Sequence, residues 1–277
     1  HDALPISQTV GLISSDKPTV PENSTFEVHY IDVGQADSAL VICDDEAMLI
    51  DGGNVEDSSK IYAYLKKLDI THLEYIVATH AHEDHVGGLA GALNYASVDT
   101  VYCPTTSYDS NAFRDFVNYV NYRNGSITIP KAGDSFDLGN ADVDILACNN
   151  YMDENNSSIV LTITYGDTSF LFTGDAEYET EQSLIYSGFD LSSTVLKVGH
   201  HGSDTSTSYL FLREIMPEYA VISVGKGNSY GHPTEAVLSR LRDADVKTYR
   251  TDMQGDIICK SDGKNVTFTT NRNATIN

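Results

Sequence analysis

The sequence predicts an α/β fold: strands come first, then helices and strands alternate, and this order runs twice along the chain. Three observations carry the prediction. Short runs of alternating polarity, such as Phe26-Glu27-Val28-His29-Tyr30, are joined by tight polar turns, the pattern of an antiparallel meander. Apolar runs such as Tyr75-Ile76-Val77-Ala78 pass directly into helical periodicity. A length of 277 residues with 41% hydrophobic content suits one large domain or two small ones and supplies an ample core.

Taken in order, residues 1–24 carry Pro5, Pro18 and Pro21 among serines and threonines with no sustained period, and read as a linker or N-terminal arm. Residues 25–277 read as the folded domain. The chain does not begin with Met and is expected to be a fragment or a processed product; no signal peptide is visible. Strands are expected at 26–33, 38–43 and 47–50, separated by Gly34-Gln35-Ala36-Asp37 and Asp44-Asp45-Glu46. A helix at 58–68, a strand at 75–78, a helix at 85–96 and a strand at 98–103 follow. The helix at 111–122 puts Phe113, Phe116, Val117 and Val120 on one face. Strands at 126–129, 135–138 and 143–147 lead to the polar loop Asp153-Glu154-Asn155-Asn156-Ser157-Ser158. Gly166-Asp167 joins strands 159–165 and 169–172 as a hairpin. The remainder alternates: helix 176–186, strand 194–198, a helix opened by the Ser/Thr run 203–208, strand 219–224, helix 234–242, and closing strands at 247–250, 256–260 and 265–269.

The net charge of −23 repels polyanions and disfavours an extended nucleic-acid partner. No apolar run approaches the roughly 20 residues of a membrane span. Cys43, Cys103, Cys148 and Cys259 form no CxxC pair, so they are read as buried free thiols rather than a zinc ribbon or redox pair.

The chemistry concentrates in Thr79-His80-Ala81-His82-Glu83-Asp84-His85, at a strand-to-helix turn. Imidazole and carboxylate suit a borderline divalent ion. In an extended turn His80 and His82 point one way while Asp84 and His85 turn toward a second point, which implies two adjacent metal sites. Asp51, between an apolar strand and Gly52-Gly53, is either a turn former or a carboxylate that orients the histidine turn. His29 is read as an ordinary strand residue. Asp175, after Thr173-Gly174, is either a helix N-cap or a metal ligand, and beside a histidine cluster the ligand is favoured. His200 and His201, flanked by glycines just past a strand, repeat the same architecture. His232 lies in a glycine-rich loop and is read either as a functional group or as loop packing.

The ordered set Ile31-Asp32-Val33-Gly34-Gln35-Ala36-Asp37, Leu49-Ile50-Asp51-Gly52-Gly53, His80-Ala81-His82-Glu83-Asp84-His85, Phe172-Thr173-Gly174-Asp175, Val198-Gly199-His200-His201-Gly202-Ser203 and Gly231-His232-Pro233 resembles the metallo-β-lactamase superfamily. Within it, the set is similar to the C-terminal hydrolase domain of ComEC-type competence proteins and their stand-alone relatives. The resemblance implies a four-layer αβ/βα sandwich of two mixed sheets flanked by helices, with two divalent ions, zinc or manganese, at one edge. It implies His80 and His82 on the first ion, Asp84 and His85 on the second, Asp175 bridging, and His200 favoured over His201 to complete the second site. Many members carry a further histidine ligand before the bridging aspartate. This chain has no histidine between His85 and His200, and the loop bearing Asn155 takes that place. An amide oxygen is a weak, hard ligand, so the first site is expected to bind less tightly or to favour manganese.

The expected activity is phosphodiester hydrolysis by metal-activated hydroxide, on DNA or on a small or cell-surface phosphodiester. Hydrolysis of a carboxylic ester, lactone or amide, or a non-catalytic binding role, are the alternatives. His201 and His232 are candidates to protonate the leaving group, and Lys197, Lys226 and the helix start at Ser203 to hold an anionic group. An extracytoplasmic location, secreted or anchored through a segment upstream of residue 1, is expected.

Overall fold

The structure, a computed structural model, describes residues 20–148 and 153–273. The expected arm at 1–24 lies almost wholly outside the described residues.

Chain order separates the molecule into two sheets. The first takes β1 (Phe26–Tyr30), β2 (Ala39–Cys43), β3 (Glu46–Ile50), β4 (His72–Val77), β5 (Ser97–Tyr102) and β6 (Ile127–Thr128). The second takes β7 (Ser135–Leu138), β8 (Ala141–Ala147), β9 (Val160–Tyr165), β10 (Thr168–Phe172), β11 (Val195–Lys197), β12 (Tyr219–Ile222) and β13 (Lys247–Arg250). The chain then returns to the first sheet as β14 (Ile257–Ser261) and β15 (Val266–Thr270), giving the orders β15-β14-β1-β2-β3-β4-β5-β6 and β13-β12-β11-β10-β9-β8-β7. Each sheet is antiparallel on one side and parallel on the other: β2/β3 and β8/β9 pair antiparallel, β3/β4 and β11/β12 parallel. Parallel neighbours need a crossover, and helices supply it. They are α1 (Ser58–Lys67), α2 (Glu83–Val86), α3 (Leu89–Tyr95), α4 (Asn111–Tyr122), α5 (Tyr178–Ile185), α6 (Tyr209–Ile215) and α7 (Glu235–Asp243), while α8 (Thr251–Gln254) lies on the return from β13 to β14.

Three apolar clusters make the layers. Tyr30, Phe26, Phe170 and Phe172 lie between the sheets. Ile61, Leu65, Leu93 and Phe116 seal α1, α3 and α4 onto the outer face of the first sheet, and Leu184, Phe211 and Val237 seal α5, α6 and α7 onto the second. Two sheets with helices outside both form the expected four-layer sandwich. Truncating a central ring such as Phe170, fully buried, costs about 3–5 kcal/mol.

Two local expectations are corrected, and one less favoured alternative, Asp175 as a helix cap, is set aside. The helix expected at 85–96 is two helices, α2 and α3, broken at Gly87-Gly88. There the chains approach so closely that a Cβ on Gly88 would fall 1.9 Å from the Gly52 carbonyl oxygen. The Ser/Thr run does not itself begin a helix: α6 starts at Tyr209, with the Ser208 hydroxyl accepting from the Phe211 amide. Asp175 does not cap α5, whose N-cap is Glu177.

Candidate metal centre

The side chains of interest all leave strand ends on one edge of the sandwich. The end of β4 delivers Thr79, His80 and the turn into α2; the end of β10 delivers Asp175; the end of β11 delivers His200 and His201. The β10 end is tight: Gly174 has φ +52°, and a Cβ there would meet Thr79 at 2.9 Å. His200 and His201 both have positive φ, +49° and +52°. Two successive non-glycine residues in the left-handed region store strain of about 1–3 kcal/mol each, a feature that clusters at functional sites.

At the centre, one ligand atom from each of Asp84, His85, Asp175 and His201 lies within 4.8 Å of every other. Asp175 is buried, with one carboxylate oxygen 3.4 Å from His85 Nε2 and the other 3.7 Å from His201 Nε2 and 3.9 Å from His80 Nε2. Asp84 reaches His201 Nε2 at 3.2 Å. Beside this group, His80 Nε2 stands 3.0 Å from His82 Nδ1. The described residues thus bring together His80, His82, Asp84, His85 and Asp175, the residues the sequence singled out.

The second histidine of the pair sits in the four-residue group. His200 also faces Asp175, at 3.7 Å, but its Nδ1 is held 3.2 Å from Glu177 and 3.3 Å from the Thr205 hydroxyl, on the rim. His201 is buried, with Nδ1 3.3 Å from Asp37. The sequence could not separate the two, because adjacent positions in a left-handed turn point apart and the carboxylates that select them lie far away in the chain.

Two buried carboxylates orient the rings. Asp51 Oδ2 lies 2.8 Å from His85 Nδ1 and accepts from the Thr79 hydroxyl at 2.7 Å, while its Oδ1 accepts from the Thr79 amide at 2.8 Å. This is the orienting role weighed for it against that of a turn former. Asp37 lies 3.3 Å from His201 Nδ1, whose hydrogen bond is to the Ser223 carbonyl oxygen at 3.2 Å. Lys197, expected to hold an anionic group, is buried and donates to Asp37 at 2.7 Å and to the Val198 carbonyl at 3.0 Å, so its charge is already balanced. Lys226 is exposed and is not among the residues that line the cleft over the site. Ser203 is buried and bonded to Thr205.

The electrostatics show what the site lacks. Burial alone would lower the pKa of His85, but Asp175, Asp51 and Asp84 outweigh it and raise it well above the ordinary value. Burial likewise disfavours charge on His201, yet Asp175 and Asp37 push its pKa up to about 10. Four carboxylates thus demand positive charge beside these rings, which a proton or a divalent cation supplies. His80 goes the other way: burial first, and the neighbouring His85 next, hold it well below the ordinary value, leaving a neutral ring with a free lone pair.

Buried atoms supply the independent test. His85 Nε2, Asp175 Oδ1 and Asn155 Oδ1 are buried and make no hydrogen bond. Each would cost about 1–3 kcal/mol if left unsatisfied. The Asn155 amide nitrogen donates to Glu177 at 3.1 Å, which turns its oxygen free. Imidazole nitrogens, carboxylate oxygens and an amide oxygen around such orphaned positions fit divalent cations.

Above them opens a cleft of about 440 Å³ lined by Asp84, Asn155, Asp175, His200, His201 and His232, among others. His232 stacks on Tyr230, with ring centroids 5.7 Å apart. Burial, then His200 and His201, lower its pKa. At neutral pH it is therefore uncharged and better suited to accept a proton than to deliver one.

A family model described as the metallo-beta-lactamase superfamily matches residues 31–226. The ComE operon protein 3 of Bacillus subtilis is 31% identical over 85% of this chain and 33% of its own length. The competence protein ComA of Neisseria gonorrhoeae is 34% identical over 88% of this chain and 33% of its own. The chain thus spans about a third of the length of these relatives. Among solved structures, the metallo-beta-lactamase fold protein YhfI of Bacillus subtilis superposes with a TM-score of 0.57 at 12% identity, covering 85% of this chain and all of that one.

Proposed function

Because the chain belongs to the metallo-beta-lactamase superfamily, whose members are mostly metal-dependent hydrolases, we propose that it hydrolyses phosphodiesters at a centre of two divalent ions, zinc or manganese. The observation that carries the reading is the convergence of His80, His82, Asp84, His85, Asp175 and His201 around His85 Nε2 and Asp175 Oδ1, two buried atoms with no hydrogen bond. His80, His82 and the Asn155 oxygen would hold the first ion, Asp84, His85 and His201 the second, and Asp175 would bridge them.

The ions would supply a hydroxide near neutral pH and offset the charge developing on the phosphoryl oxygens. The chain's own residues do the rest. Asp51 at His85 Nδ1, and the Ser223 carbonyl with Asp37 beside it at His201 Nδ1, fix the tautomers so that Nε2 of each faces the centre. His200, braced through Nδ1 by Glu177, presents Nε2 to the cleft and takes the role first considered for His201, delivering a proton to the leaving oxygen. His232 on the rim accepts or positions a proton. Phosphodiester is favoured over carboxylic ester by the likeness to competence proteins and by the two-ion arrangement, which suits in-line displacement at phosphorus. Among the described residues no helix is long and apolar enough to cross a membrane. The competence-protein relatives support an association with the cell envelope.

The test is metal content together with hydrolysis of bis(p-nitrophenyl) phosphate, carboxylic esters and lactones, in zinc and in manganese. Turnover of the phosphodiester with two ions per chain is expected. Turnover of esters alone would transfer the site to carboxyl chemistry, and less than one ion per chain without turnover would make it a binding domain.

A further inference from the structure

The metal cleft has a neighbour. The loop between β5 and α4 carries Tyr108, which walls both the cleft and a second groove of about 750 Å³. Its ring meets His82 edge-on, with centroids 5.9 Å apart, and meets Phe113 of α4 at 6.1 Å on the other side. The far wall begins at Glu154, next in sequence to the candidate ligand Asn155. A substrate whose phosphorus sits over the ions and whose substituent passes Tyr108 therefore enters this groove.

The lining of the two spaces differs. Among the described residues that line the cleft there is no lysine or arginine. Among the described residues, the groove has an apolar side, made by Tyr108, Phe113 and Val117, and one cation, Arg114. Arg114 is half exposed and bonds Asp109 at 2.9 Å and Asn111 at 2.6 Å. Asp109 is itself fully exposed, so this pair is a weak competitor for a phosphate.

Resting on the phosphodiesterase reading, we infer that Tyr108 and Arg114 form a specificity-determining subsite for a nucleoside-bearing phosphodiester, the base lying against Tyr108 and the next phosphate reaching Arg114. A flat ring on an apolar wall and a guanidinium one step further match a base followed by a phosphate. A polyol phosphate offers no flat apolar face for Tyr108, Phe113 and Val117. An acyl chain offers no charge to Arg114. With a net charge of −23 around a single local cation, short substrates are favoured over long strands.

The experiment uses two esters with one leaving group, thymidine 5′-(p-nitrophenyl) phosphate and methyl p-nitrophenyl phosphate, on the whole chain loaded with zinc or manganese. The wild type is expected to prefer the nucleoside ester about tenfold in kcat/KM, within the range of base–aromatic stacking. Tyr108→Ala brings the ratio near one and Tyr108→Phe keeps it; a purely structural role for Tyr108 would lower both rates and leave the ratio unchanged. On the thymidine dinucleotide with a 5′-terminal phosphate, pTpT, Arg114→Ala raises KM and flattens its dependence on salt. A wild-type ratio near one, or a ratio unchanged in Tyr108→Ala, overturns the subsite while leaving the phosphodiesterase reading intact. Failure of the wild type to cleave either ester refutes the phosphodiesterase reading and this inference with it.

Discussion

The two halves of the centre are built to different standards. On one side, His85 and His201 are buried and each ring has a buried carboxylate behind it: Asp51 is hydrogen-bonded to His85 at 2.8 Å, and Asp37 lies 3.3 Å from His201, whose Nδ1 is bonded to the Ser223 carbonyl at 3.2 Å. On the other, His80 has the Thr79 hydroxyl at 3.3 Å behind its Nδ1 and no carboxylate there, His82 is partly exposed against Tyr108, and the remaining donor is a neutral amide. A carboxylate behind an imidazole raises its basicity and fixes its direction; a hydroxyl does less. The half with braced rings should therefore hold its ion more tightly, and the unbraced half should set which metal is used.

The largest effect should come from removing what both halves share. Asp175→Ala is expected to lower kcat by at least about a thousandfold and to leave less than one ion per chain, read by elemental analysis, because a bridging ligand serves both ions. Next, Asp51→Asn should weaken the braced half alone, by about 10–100-fold in metal affinity measured by competition with a chelator. An equal loss from both halves would break the comparison.

The braced half also makes a pH signature. Without metal, His201 has its pKa raised from 6.5 to about 10, and His85 is raised too. A raised folded-state pKa gives stability that is fully present below the unfolded value and is lost as pH rises through the folded one. The metal-free protein should therefore lose thermal stability between about pH 6.5 and pH 10, while the loaded protein, in which cations replace the protons, should not. Below pH 10 metal binding should also release protons, seen as a dependence of the calorimetric binding heat on buffer ionisation.

The smallest effect belongs to the unbraced half. Asn155→His should raise zinc retention there several-fold, by replacing a weak oxygen donor with an imidazole. Asn155→Ala should lower it by a similar factor.

Much of the centre was legible because its ligands are packed into one turn. Six positions from His80 to His85 bring four donors together whatever the rest of the chain does, and the strand before them fixes where they point. Asp175 became legible beside that turn, and the structure removes the competing cap by giving it to Glu177. The carboxylate behind His85 was visible as a polar residue at an apolar strand end. What the sequence hid depends on distant partners. His201 differs from His200 in its partners, Asp37 of the first sheet's opening turn and the Ser223 carbonyl, both distant in the chain. Lys197 points at the same Asp37, so a residue that reads as an anion binder is spent on an internal pair. The break at Gly87-Gly88 reflects backbone packing against Gly52, which no helical periodicity encodes. The α/β class was legible in the order of strands and helices, which is compatible with the sandwich; the sandwich itself was implied by the resemblance of the motifs.

The central claim is one well-braced and one poorly braced metal site sharing Asp175. The most direct measurement is metal content per chain in the wild type and in His82→Ala after the same brief exposure to chelator. The account predicts two ions in the untreated wild type, one left after chelation, and one in His82→Ala with or without it. A wild type that holds a single ion, or a His82→Ala protein that loses all metal, would contradict it.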